Sequence, residues 1–87
     1  MRLLPTEHFT KCYKNLPPAV QAQVDKQLSI LLGNPKHPSL KIRKIQSTRG
    51  EILEGRISKN YRFTFQIERD TYILRRVGLH NQVLKKP

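Results

Sequence analysis

Two hydrophobic periods divide the chain. In the first third, Phe9, Cys12, Tyr13 and Leu16 recur at i, i+3, i+4 and i+7, one face of a helix, with Thr6 as N-cap and Glu7 in the first turn. The run "NLPPA" interrupts this pattern, because Pro17 and Pro18 cannot sit inside a helix, yet Pro18 suits a first turn. A second helix is expected from about Pro18 to Leu32, with Val20, Val24, Leu28, Leu31 and Leu32 as its apolar stripe. Gly33 and Asn34 supply a left-handed stop, and Pro35 prevents continuation. Such a short link predicts an antiparallel helix hairpin.

Farther on the period becomes two. Leu40, Ile42 and Ile45 alternate imperfectly with Lys41, Arg43 and Lys44, and "TRGE" reads as a turn. "EILEGRIS", "YRFTFQI" and "TYILRRV" read as three more strands, joined by the short connections "SKN" and "ERD". Helices in one run and strands in another predict an α+β fold, with the hairpin packed on one face of a mainly antiparallel four-stranded sheet. All 87 residues read as one domain, and the tail "NQVLKKP" reads as a short extension.

Parity gives the other sheet face its character. If Phe63 and Phe65 face the helices, Arg62 faces away; Glu54 and Arg56 share a face, while Leu53 and Ile57 take the core side. Ile52 shares the Glu54 parity, a blemish in the register. In the last strand either Arg75 or Arg76 faces outward, and Lys41 or Arg43 lies nearby.

Charge sharpens this picture. Residues 1–35 carry four basic and two acidic side chains, a net of +2, whereas residues 36–87 carry thirteen and four, a net of +9. A positive field on the sheet half attracts phosphate backbones or an acidic protein; the plain reading is a solvated basic surface. No apolar run approaches the roughly 20 residues of a membrane span, and no signal-peptide pattern opens the chain. Cys12 is the only cysteine, which fits a reducing cytosol and leaves no cysteine-rich zinc site; it lies on an apolar helix stripe and reads as core. Neither a glycine-rich phosphate loop nor a metal-spaced His/Cys cluster is present, so no cofactor is expected.

The order of helix hairpin, basic strand, "LEGRISKNYRFTFQI" and "YILRRVGLHNQVL" resembles the RelE/ParE superfamily of toxins from type II toxin–antitoxin modules. The resemblance covers nearly the whole chain, with "RISKNYRFTF" and "RRVGLH" its most specific parts, and it allows a short additional N-terminal strand. Many members have an aromatic, usually Trp, where Leu53 stands, and active relatives often have Tyr or Phe shortly after the C-terminal histidine, where this chain has Leu84. RelE-like members are metal-independent endoribonucleases that cut messenger RNA at the ribosome by attack of the 2′-hydroxyl on the adjacent phosphorus. ParE-like members act on DNA gyrase and cut nothing. Both are silenced by an antitoxin whose C-terminal segment wraps the toxin. The resemblance therefore implies a cytoplasmic messenger-RNA interferase, as a monomer or bound to an acidic antitoxin, with messenger RNA and the ribosome as further partners. A gyrase inhibitor and a non-catalytic RNA-binding module are the alternatives.

RNA transesterification needs a proton acceptor, a group to stabilise the charged phosphorane and a proton donor for the leaving oxygen. Arg62 suits the second role, because a guanidinium keeps its charge and its fork matches phosphate oxygens. The resemblance also falls on it; its plain reading is a surface arginine paired with Glu54. His80, after Gly78 at the end of the last strand, is the candidate acid or base, since histidine titrates near neutrality and "VGLH" resembles the family's C-terminal pattern. The plain reading is a loop histidine. Glu54 is a third catalytic candidate, although amid so many arginines it serves better as an orienting partner of Arg56 or Arg62 than as a base. Arg56, Lys41, Arg43, Lys44, Arg75 and Arg76 are candidates to grip the RNA backbone. His8 and His37 are assigned no chemistry.

Overall fold

The computed structural model describes residues 1–45 and 50–87. Strand β1 (Arg2–Pro5) leads into helix α1 (Glu7–Lys14) and helix α2 (Pro18–Gly33). A 3-10 turn over Pro38–Leu40 precedes β2 (Arg43–Ile45), β3 (Ile52–Arg56), β4 (Tyr61–Glu68), β5 (Thr71–Leu79) and helix α3 (His80–Lys85). The five strands form one sheet in the order β1-β5-β4-β3-β2, antiparallel except where β1 runs parallel to β5. The α+β architecture is the expected one, with the additional N-terminal strand present as β1.

The hairpin forms where the periodicity put it. Thr6 caps α1, its Oγ1 accepting the Phe9 amide at 3.2 Å, and Pro18 opens α2. The Tyr13 hydroxyl donates to Asp25 Oδ1 at 2.7 Å, and Gln21 Nε2 donates to the Tyr13 carbonyl, fixing the two helices together. Phe9, Val24 and Leu31 are buried against Phe63, Phe65, Tyr72, Leu74 and Val77 of the sheet. Phe63 and Phe65 stack at 5.3 Å between ring centroids, and Tyr72 meets Phe65 edge-on at 5.7 Å. Gly55 faces Phe63 across β3–β4, and a Cβ there would stand 2.4 Å from the Phe63 ring, so only glycine lets the ring lie over that strand.

Three local expectations are corrected. First, α2 takes in Gly33, and Asn34 ends it at φ −152° rather than in a left-handed turn. Leu32 is exposed, and Ile30 packs on the core in its place. Second, the strand expected from Leu40 shortens to Arg43–Ile45. His37 Nδ1 accepts the Ser39 amide and Pro38 opens the 3-10 turn, after which Lys41 reverses the chain at φ 44°. Half of the "TRGE" turn, Thr48 and Arg49, lies outside the described residues, while Gly50 stands at φ 94°, where glycine is favoured.

The third correction is the tail, which is no loose extension. Residues 80–85 form α3, and its Val83 is buried on the side of the sheet away from the hairpin, 3.6 Å from where a Gly78 Cβ would be. Beyond it, the Pro87 carbonyl accepts hydrogen bonds from Thr64 Oγ1 at 2.8 Å and Arg75 Nε at 3.2 Å.

Candidate functional site: an arginine face around Glu54

Register decides which side chains meet. Across the side of the sheet away from the hairpin, Arg43, Glu54, Thr64 and Arg76 lie in one row, because each pairs with the next on the neighbouring strand. Arg56, Arg62 and Gly78 form the next row. His80 follows at the end of β5, its backbone amide donating to the Asn60 carbonyl at 2.9 Å. Thus Arg43, Glu54, Arg56, Arg62 and Arg76, separated by up to 33 positions in sequence, share one face, and His80 opens α3 at the end of it.

The last strand resolves its own parity question with a bulge. Thr64 pairs with Arg76 but Phe65 pairs with Leu74, so Arg75 is an extra residue on β5. Val77 and Leu74 consequently both reach the core, and Arg75 and Arg76 both stand on the open face: Arg75 Nη1 donates to Gln66 Oε1 at 2.8 Å. Strict alternation would have allowed only one of them. Thr6 holds the bulge from behind, its Oγ1 donating to the Arg75 carbonyl and its amide to the Leu74 carbonyl.

Two expected members lie elsewhere. Lys44 pairs with Leu53, which takes the hairpin side, and forms an exposed ion pair with Glu51 at 3.6 Å. Lys41 lies on the rim of an open groove of 430 Å³ at the end of α2, floored by Leu31, Leu53, Phe65 and Tyr72 and bordered by Lys36 and His37. Ile67, 54% exposed, continues this apolar floor.

Glu54 is the electrostatic centre. It is 3% exposed, and its Oε1 lies 3.1 Å from Arg43 Nε and 4.0 Å from Arg62 Nε. Its Oε2 is buried with no hydrogen-bond partner among the described residues. Arg62 is itself largely buried, its side chain 16% exposed. Burial above all, and then the Arg56 charge, pull its pKa below the ordinary arginine value, with Glu54 opposing the fall and Arg43 adding to it; the group stays cationic at neutral pH. Arg62 Nη1 faces the carbonyls of Ser58, Lys59 and Tyr61, the latter two at 3.1 and 2.9 Å, so the guanidinium also braces the β3–β4 turn.

Sequence reasoning missed one supporting residue. Gln27 interrupts the apolar stripe of α2 yet is buried, its Nε2 donating to the Arg56 carbonyl at 2.8 Å and to the Ser39 carbonyl at 3.4 Å. A polar residue flanked by Val24 and Leu31 on a buried face was the available signal.

This arrangement can hold an anion. Arg56 and Arg62 stand directly opposite each other, a pairing that repels, and five arginines share the face with one buried carboxylate. Several toxins of known structure share this fold. YafQ from Escherichia coli strain BL21(DE3) superposes with a TM-score of 0.78 at 13% identity, covering 93% of this chain and 94% of that one. The archaeal RelE–RelB complex from Pyrococcus horikoshii OT3 gives 0.75 at 16% identity, covering 93% and 96%. The YoeB/ParE toxin from Agrobacterium tumefaciens gives 0.76 at 13%, covering 92% and 99%. The chain therefore has the fold of the RelE/ParE-superfamily toxins. No protein-family model and no curated protein sequence matches it.

Proposed function

We propose that the chain is the toxin of a toxin–antitoxin module and an endoribonuclease that cleaves messenger RNA at the ribosome, with residues 1–87 as its toxin domain. The observation that carries this reading is the pair of opposed arginines, Arg56 and Arg62, beside one buried glutamate. Two cations directly across a sheet are unfavourable until an anion lies between them, and a bound phosphodiester removes that repulsion. Sites that break a local rule in this way are where function is concentrated.

The chemistry follows from the side chains. Arg62 donates to the non-bridging phosphate oxygens and offsets the extra negative charge of the phosphorane. Its anchorage to Glu54 and the turn carbonyls keeps it from reorganising as charge develops. His80 exchanges a proton with the 2′-hydroxyl or the leaving 5′-oxygen. Glu54 accepts from Arg43 and faces Arg62, aiming both guanidinium groups, while Arg43, Arg56, Arg75 and Arg76 hold the flanking backbone. Lys41 and Lys44 stand apart from that track.

An acidic antitoxin is the natural silencer of such a surface. The Pyrococcus RelE is bound to RelB, and Escherichia coli YafQ to DinJ in a toxin–antitoxin complex. The apolar groove between Leu31 and Tyr72, bordered by Lys36 and Lys41, suits an amphipathic segment with acidic flanks.

A second reading has its own support. Nη1 of Arg62 is engaged by three turn carbonyls, which is what a purely structural arginine in a non-catalytic RNA-binding module would do. Induced expression separates the two. The nuclease reading expects growth arrest that Arg62→Lys and His80→Ala each relieve, with circular dichroism unchanged. Arrest that persists in both variants contradicts the site, and arrest accompanied by a DNA-damage response instead of message loss marks a gyrase poison.

A further inference from the structure

We propose that Thr64 and Arg75 form a phosphate subsite that the chain's own C-terminal segment occupies. The inference rests on the reading of the arginine face as a nucleic-acid surface and adds to it a site and its internal competitor.

Thr64 is fully buried, yet its hydroxyl is spent on a single acceptor, the Pro87 carbonyl, at 2.8 Å. Arg75 Nε donates to the same oxygen at 3.2 Å. The guanidinium is oriented by its Nη1 bond to Gln66 Oε1 at 2.8 Å, and Thr64 stands directly opposite Arg76. A hydroxyl and a guanidinium that converge on one oxygen beside a second arginine are the donor set of a phosphate site. The Pro87 oxygen takes both donors at once, as a phosphate oxygen would.

The position extends the face described above. Thr64 is two residues from Arg62 on β4, roughly 7 Å along the strand on the same side. A phosphate at Thr64 and Arg75 therefore continues a backbone track that begins at Arg56 and Arg62. The covering segment is built to lift. Val83 anchors α3 over Gly78, whereas Lys85 and Lys86 are exposed, and two hydrogen bonds to the Pro87 oxygen tether the last residue. Release breaks these two hydrogen bonds and leaves the α3 anchor in place.

The test compares the full chain with one ending at Lys85. The probe is a fluorescent 2′-O-methyl oligonucleotide of about ten nucleotides, uncleavable by 2′-OH attack and within the usual single-strand footprint. Ending the chain at Lys85 removes a positive charge, so general electrostatics predicts weaker binding. The subsite predicts binding about tenfold tighter, and a salt dependence steeper by about 0.7 in log–log slope for the one phosphate gained. Thr64→Val or Arg75→Gln in the shortened chain abolishes the gain. Equal or weaker binding by the shortened chain overturns the subsite alone, as does a gain that survives both substitutions. No binding by either chain overturns the nucleic-acid reading of the face and the subsite with it.

Discussion

Replacing Glu54 by glutamine keeps the side chain's shape and deletes its charge, which isolates what that carboxylate does for Arg62. The ion pair spans 4.0 Å from Nε to Oε1, with the two side chains 16% and 5% exposed. Unit charges at that distance attract by about 4 kcal/mol at an effective dielectric constant of about 20. The Arg43 contact is shorter, at 3.1 Å, but Arg43 is 60% exposed, so it adds about 0.5 kcal/mol. Removing one partner of a buried pair costs about 3–5 kcal/mol, because the other charge stays buried without compensation. Here the loss also leaves Arg56 and Arg62 facing each other unscreened. We expect Glu54→Gln to lower stability by about 3 kcal/mol, a large share of the roughly 5–15 kcal/mol that holds a domain folded. Urea unfolding reads this directly: with a slope of about 1 kcal/mol per molar, the midpoint falls by roughly 3 M. A double-mutant cycle with Arg62→Gln assigns the loss to the pair, with an expected coupling of about 2 kcal/mol. A midpoint that moves by less than about 0.5 M, or a coupling near zero, refutes the account of Glu54 as the charge that holds the arginine face together.

Gly55→Ala drives a Cβ to within 2.4 Å of the Phe63 ring, so that buried ring must shift; the expected cost is about 3 kcal/mol, read as a fall in Tm of roughly 15 °C. The Tyr13 pKa is raised above 10.0, chiefly by its hydrogen bond to Asp25. The neutral phenol is thus favoured in the folded chain, and the contribution is complete below pH 10.0 and lost as pH rises through the raised value. Tyr13→Phe should remove that alkaline loss from a series of urea midpoints; a Phe variant with the same alkaline limb would contradict the pairing. Arg43 and Lys44 are neighbours on opposite faces of the sheet. Arg43→Gln should flatten the salt dependence of RNA binding by about 0.7 in log–log slope, and Lys44→Gln should leave it unchanged.

The sheet half of the molecule was readable because its period is plain. Tyr61 to Ile67 alternates without a fault, and from Phe63 and Phe65 alone the outward direction of Arg62 and the shared face of Glu54 and Arg56 follow. The bulge at Arg75 was not readable, since one inserted residue changes parity without changing composition. Strand β1 was allowed by the family resemblance but not by the pattern: four residues ending in a proline give too short a period, and their pairing depends on β5, some 70 positions away. Lys41 and Lys44 looked like members of the basic face because "KIRK" is a charge run. A 3-10 turn and a left-handed residue, products of Pro38 and the His37 cap, set where the strand begins and which side chains turn away. Helix α3 has only Val83 and Leu84 as apolar markers, and its burial is tertiary, over the gap left by Gly78.

The central claim is that the arginine face cuts RNA through Arg62, and the ends of the product carry the answer. Purified protein is mixed with translating ribosomes and a defined message, and the 3′ ends of the fragments are analysed chemically. The account predicts fragments ending in 2′,3′-cyclic phosphate, made by the wild-type chain and lost in Arg62→Lys, which keeps the positive charge but not the fork. An intact message with the wild-type chain, or cleavage by Arg62→Lys at the wild-type rate, contradicts it.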